Sequence, residues 1–483
     1  MSRTLTFLSC AVVVVTLAAC STPKTPEQQF LDDAISALGG RANLDALNSI
    51  SIEGTGVNYN LGQDMKPEAA TQTFAITDYP RQIDIDAGRQ LVQQVRTPQF
   101  AYFQGPQPQR QTQALDGEIA FNVGENGSGA RIALWPERDR RAEFIHHPAV
   151  ALKLASSPGA SITNLRTTGA MRQADFTVND RAFTLSLDAA GLPLSLSNKS
   201  YNANLGDVVI TTMFADYQDT NSIKLPARLT TKIDDFTTAE IRAARQTTNA
   251  PVTMPAGLSA ASLKPNTPAV PDVSAEKIGN GVWFLAGQSH HSVLVEFADH
   301  LMLIEAPQSE ARTLAVIAKA KETVPDKPLT QVVTTHHHFD HTAGLRAAIA
   351  EGMTVITQAG NKDWVERMAR RPHSLAPDAL TKTATRLVVE TVDDEKSISA
   401  GSQAVTLYHV AGNPHSDTML MAYIPRDRLL VEVDAFSPGS AVQPYAPNLL
   451  ENIQKRNLRV DRIVPLHGAI APLAELRKAA GAK

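Results

Sequence analysis

The chain has 483 residues, more than a single hydrophobic core usually serves, so two or more domains are expected. Its 43% hydrophobic and 19% charged content is that of a folded protein and excludes a disordered one. A formal net charge of -4 leaves no basic excess for gripping a phosphate backbone, which argues against nucleic acid as a partner.

The first stretch reads as an export signal. Arg3 gives a positive start, residues 7–18 form an apolar run too short to span a bilayer comfortably, and Leu17, Ala18, Ala19 and Cys20 close it with small residues. That tetrapeptide resembles the lipobox of bacterial lipoproteins. The resemblance implies a signal peptide over residues 1–20, a lipid on Cys20 as the membrane anchor and, with Ser21 following, a periplasmic protein held at the outer membrane. The sequence holds 2 cysteines, Cys10 and Cys20, so the mature chain has neither a disulfide framework nor a thiolate ligand. Any metal must then be held by imidazole and carboxylate.

Residues 21–29 read as a polar tether, after which Phe30, Leu31, Ile35 and Leu38 fall at helical spacing until Gly39 and Gly40 stop the helix. From about residue 50 to residue 233 the chain turns to short alternating segments broken by Gly, Pro, Asn and Asp, with a hairpin signal over residues 181–196 and strands at 208–214 and 223–233. A mainly antiparallel β domain is expected over residues 26–248. Its runs Gly191-Leu192-Pro193, Phe214-Ala215-Asp216-Tyr217 and Ile223-Lys224-Leu225-Pro226 resemble the LolA-like lipoprotein-carrier domains of the periplasm. That resemblance implies a curved sheet able to shelter an apolar ligand, and no catalysis. His146 and His147 point to opposite sides of an extended chain and are expected at the surface. Pro251, Pro255, Pro265, Pro268 and Pro271, without apolar periodicity, mark a linker over residues 249–273.

The second domain, residues 274–483, begins with strands at 282–285, 293–297 and 301–304, followed by an amphipathic helix at 311–323. A strand at 354–357, a helix at 362–371 and a strand at 386–392 continue the alternation, which indicates a mixed sheet covered by helices and an overall α+β chain. Between the first helix and the strand at 354–357 lies TTHHHFDHTAG, residues 334–344, after the β-branched run at 331–335. It places four strong donors, His336, His338, Asp340 and His341, where the chain leaves a buried strand, which is where a site belongs. His336 and His338 share one side of an extended chain, and a turn can swing Asp340 and His341 toward a second point about 3.5–4 Å away, the spacing of two-metal sites. His337, between two such donors, should point away from them. Further strand ends carry His415, Asp434 and His467.

Asp340 with its flanking histidines, then His415, Asp434 and His467 in that order, resemble the metallo-β-lactamase-fold hydrolase superfamily over about residues 278–476. The resemblance implies an αββα sandwich in which His336, His338 and His415 bind a first metal, Asp340, His341 and His467 a second, and Asp434 bridges the two. It implies a dinuclear zinc hydrolase, with manganese or iron tolerated, in which a hydroxide bridging the metals cleaves an ester, lactone, lactam or thioester of a small molecule, and Asp340 both ligates and orients that nucleophile. His338 stands where oxygen-reducing di-iron relatives carry Glu, which favours zinc. Asn413 to Asp417 replace the more usual Gly-His-Thr-x-Gly, and Leu466-His467 the common Gly-His. Other readings of the same residues are a lipid- or lipoprotein-binding protein with a non-catalytic metal domain, and a mononuclear iron oxygenase. Glu305 and Asp417 are candidates for orienting imidazoles, and His290 and His291 for lining the mouth. Because the N-terminal domain offers no ligand, chelation is expected to abolish activity without unfolding that domain.

Overall fold

In a computed structural model the chain is described over residues 24–256, 258, 260–266 and 271–482, so the expected signal and Cys20 lie outside the described residues. The helix Pro26–Leu38 starts earlier than the expected tether allows. Thr25 and Gln28 form a reciprocal capping box and Pro26 occupies the first turn, which together nucleate the helix at once. Phe30, Leu31, Ile35 and Leu38 are buried along its inner face.

The N-terminal half is built on one antiparallel sheet of fourteen strands among the described residues. Its edges are Gly129–Arg131 and Ser161–Thr168, and Ser49–Tyr59 pairs with Phe236–Thr248 in the middle. The expected hairpin forms between Arg181–Leu187 and Pro193–Asn202. The chain's own helices fill the apolar face: Phe30, Ile35, Val150 and Leu152 pack against Ile50, Phe176, Phe183 and Leu196. The space that remains is a cavity of about 360 Å³ bordered by polar groups including Arg81, Arg96, Gln94, Gln113 and Glu143. His146 and His147 are not on the surface as expected, being 2% and 0% exposed. They join the helices Leu134–Ile145 and Pro148–Ala155, and packing those helices into the sheet carries the junction inside. His146 meets Thr212 and Asn198, each at 2.8 Å, whereas His147 has no partner on either ring nitrogen.

The linker region is not a free spacer: Ala260, in the short turn Ala260–Ser262, is buried against Leu91, Ala114 and Phe121 of the N-terminal sheet. Beyond it lie two sheets, of seven and six strands among the described residues. Val293, Met302, Val333 and Ile356 of the first meet Val405, Leu420, Val431 and Val464 of the second in a dry inner layer. The outer face of the first sheet is covered by Glu310–Thr323 and Leu345–Ala350, through Val316, Ile317, Ala320 and Leu345. The outer face of the second is covered by Ala446–Lys455 and Leu473–Ala479, through Leu449, Leu450, Ile453 and Leu476. The result is an αββα sandwich. Strand ends at one rim bring together the segments after Val333, Glu432 and Pro465.

Candidate metal centre

The strand Leu329–Val333 runs parallel between Leu301–Ile304 and Thr354–Gln358, and its buried β-branched residues explain why the chain leaves the sheet only at Thr334. Four donors, His336, His338, His415 and Asp434, have ligand atoms within 4.8 Å of one another. A second group at the same spacing joins His290, Asp340, His341 and His467. Asp434 faces both: Oδ2 lies 2.9 Å from His341 Nε2, 3.2 Å from His415 Nε2 and 3.4 Å from His336 Nε2, and Oδ1 lies 3.0 Å from His467 Nε2. All seven residues singled out in the sequence thus converge, with His290 as an eighth.

The first group is made of orphaned lone pairs. His336 Nε2, His338 Nδ1 and His415 Nε2 are buried without a hydrogen-bond partner, while the opposite nitrogens of the first two are engaged. His336 Nδ1 meets Thr335 Oγ1 at 3.0 Å, and His338 Nε2 donates to the Asp64 carbonyl at 2.9 Å. Burial pushes His336 down to about 4 and His338 well below the usual imidazole range, so both are neutral and ligand-competent. His341 goes the other way. Burial opposes its charge, but Asp434 and Asp340, with a Glu305 hydrogen bond, raise it well above the usual value. Glu305 Oε2 lies 3.0 Å from His341 Nδ1, while Oε1 accepts from Thr335 N at 2.7 Å, so one buried carboxylate sets both the ring and the start of the motif.

Each later donor has its own mount. Asn413 Oδ1 accepts from His415 N at 2.8 Å and from Ser416 N at 3.3 Å, so a side-chain turn aims His415 in this unusual loop. Asp434 has φ +55°, and the buried Glu432 holds that turn by accepting from Ala435 N and Phe436 N at 3.0 and 3.1 Å. His467 Nδ1 meets the Ser289 carbonyl at 3.1 Å, leaving Nε2 toward the centre.

Residues 286–440 match the profile of the metallo-beta-lactamase superfamily. Residues 286–440 form a metallo-beta-lactamase superfamily domain. Among solved structures, similar ones include a metallo-beta-lactamase from Pontibacter korlensis, at 19% identity over 44% of this chain and 98% of that chain, with a TM-score of 0.33. A metallo-beta-lactamase from Hirschia baltica shares 20% identity over 43% and 96%, with a TM-score of 0.34. FIM-1 from Pseudomonas aeruginosa, solved in its mono-zinc form, shares 19% over 43% and 93%, also at 0.34. A metal-dependent hydrolase domain accounts for the donor groups described above.

What the sequence did not disclose is how far the N-terminal half reaches into this domain. Gln63 Nε2 donates to Asp340 Oδ1 at 2.7 Å, Asp64 holds His338, and the Gly62 carbonyl accepts from Phe339 N at 3.1 Å. Asn204 Nδ2 donates to the Phe339 carbonyl at 3.1 Å, and its Oδ1 accepts from Thr342 Oγ1 at 2.8 Å. On another side, Tyr445 stands 5.1 Å from the His415 ring and 5.2 Å from Phe103, and its hydroxyl donates to the Ala101 carbonyl. No motif signals such contacts, because they depend on docking two halves far apart in sequence. His290 was equally hard to read. Arg312, fully buried, donates to the His290, Leu285 and Asp272 carbonyls and so fixes the hairpin turn that presents it. His291 instead accepts from Gly287 N and packs on Phe284. His337 lies in neither donor group, and Asp417 meets His409 through its carbonyl, leaving its carboxylate exposed.

Proposed function

We propose that this chain is an exported, lipid-anchored dinuclear zinc hydrolase that cleaves an ester, lactone, lactam or thioester of a small molecule. The observation that carries the metal reading is the convergence of three buried, unpartnered imidazole nitrogens on Asp434, beside a second four-donor group that shares that carboxylate. Left alone such lone pairs are costly, and a cation satisfies them together. A donor set of imidazole and carboxylate suits zinc, and manganese or iron can use the same atoms. Two groups favour a dinuclear hydrolase over a mononuclear oxygenase, which needs only one.

A bound divalent pair supplies Lewis acidity and an acidified water. The protein's part is orientation. His336, His338 and His415 would hold one cation, and Asp340, His341 and His467, with His290, the other, while Asp434 is shared. Gln63 fixes one oxygen of Asp340, and the Asp340 side chain, 41% exposed, is the donor that faces incoming substrate. Export rests on the lipobox-like residues before Cys20, and among the described residues no helix is long and apolar enough to cross a membrane. The test is turnover of a panel of ester, lactone, β-lactam, thioester and phosphodiester substrates by the zinc-loaded mature chain, His336→Ala and Asp434→Ala. Turnover of an acyl substrate that both variants lose supports the reading. Turnover surviving in both, or confined to the phosphodiester, contradicts it.

A further inference from the structure

A second pocket lies where the two halves meet, on the side of the metal-binding loop opposite the donors. It encloses about 410 Å³, large enough for a small organic molecule. Leu61, Leu205 and Phe236 of the N-terminal half face Phe339, Trp364 and Met368 of the C-terminal half across it. Glu68, Arg367, Arg370 and Arg371 also border it, and two of its polar side chains, Asp64 and His337, are buried, at 7% and 2% exposed. Asp64 Oδ1 and His337 Nε2 have no hydrogen-bond partner among the described residues. Such atoms are rare in folded interiors and call for an explanation.

The metal centre does not supply it. His337 alternates with His336 and His338 along the extended chain, so its ring turns away from both donor groups and lies 6.2 Å from Trp364. The charges at the rim are already matched: Arg367 pairs with Glu68 at 2.6 Å, Arg370 with Glu366 at 3.4 Å, and Arg371 with Asp234. An incoming anion would therefore find no free cation and would lose its hydration on entering, whereas Asp64 leaves a place for a ligand's hydrogen-bond donor. A neutral molecule would lose little. We propose that this interdomain pocket binds a small uncharged amphiphile, an aromatic or aliphatic body bearing one hydroxyl or amide that hydrogen-bonds to His337 Nε2 and Asp64 Oδ1. The polar end of that ligand sits one residue from His336 and His338, and Asp64 carries the carbonyl that holds His338. The site therefore reports to the metal loop from behind. It requires neither turnover nor bound metal.

Equilibrium dialysis of the full mature chain against 1-naphthol, naphthalene and 1-naphthoate tests this. Saturable one-to-one binding of 1-naphthol is expected, about tenfold tighter than naphthalene, which lacks the hydrogen-bonding group, and tighter still than the charged naphthoate. Met368→Trp and Leu205→Trp fill the pocket from opposite halves, and each should weaken 1-naphthol binding at least tenfold while circular dichroism remains that of the parent. His337→Phe should abolish the preference for 1-naphthol over naphthalene. Absence of saturable 1-naphthol binding, a preference for naphthoate, or binding unchanged in whichever filled variants fold would overturn the proposal.

Discussion

His290 is placed by a residue outside both donor groups. The buried Arg312 spends its donors on three carbonyls around the turn, and the ring then meets Asp340 Oδ2 at 3.2 Å through Nε2 and Ser289 Oγ at 2.9 Å through Nδ1. His290→Ala should reduce affinity for the second metal about 10–100-fold and leave the first in place, as competition with a chelator would show. Loss of both metals would mean that the turn is structural. Buried histidines away from the donor groups add an acid dependence to stability. Burial pushes His147 down to about 3 and His146 down to about 4, against about 6.5 in an unfolded chain. Between those values the unfolded state holds protons that the folded state does not, so stability is intact above about pH 6.5 and falls as pH drops toward 4. Urea midpoints across that range should fall with acid, and His147→Leu, which removes a ring without partners, should flatten the slope. An unchanged slope would contradict this account. The seven strand-end donors were legible because each follows an apolar run. His290 was not, because a lone histidine at a hairpin turn looks the same whether it is solvated or ligating.

Among the elements, the loop that includes Gly62 is one that joins the two halves. Gly62 has φ +79°, and a Cβ there would stand 2.2 Å from the Phe339 ring, so the loop approaches the motif only because that residue is glycine. Gly62→Ala should cost roughly 1–3 kcal/mol of stability and loosen metal retention, read from urea midpoints and dialysed metal content. A variant as stable and as metal-rich as the parent would show that the loop contact is incidental. Periodicity revealed the elements of the C-terminal half well, since its central strands are buried and β-branched. It revealed fewer in the N-terminal sheet. Arg89–Pro98 and Gln109–Asp116 are rich in Gln and Arg, and their polar side chains line the interior cavity, so the apolar alternation that marks a strand is absent.

For the whole molecule, the two halves meet at the candidate metal centre. From the sequence alone, chelation is expected to leave the N-terminal domain folded, since it supplies no ligand. Gln63, Asp64 and Asn204 supply hydrogen bonds to the ligand-bearing segment instead. Metal binding should therefore stabilise both halves, and adding a chelator should lower every thermal transition by several degrees. An N-terminal transition that does not move would contradict the coupling. The topology of each half could be anticipated from its own pattern, but their docking could not, because it depends on surface shape. That eight donors form two linked metal sites is checked by elemental mass spectrometry of the purified protein after zinc loading and dialysis. About two zinc ions per chain are expected, falling to about one or fewer in Asp434→Ala. One ion or none in the unaltered protein would contradict it.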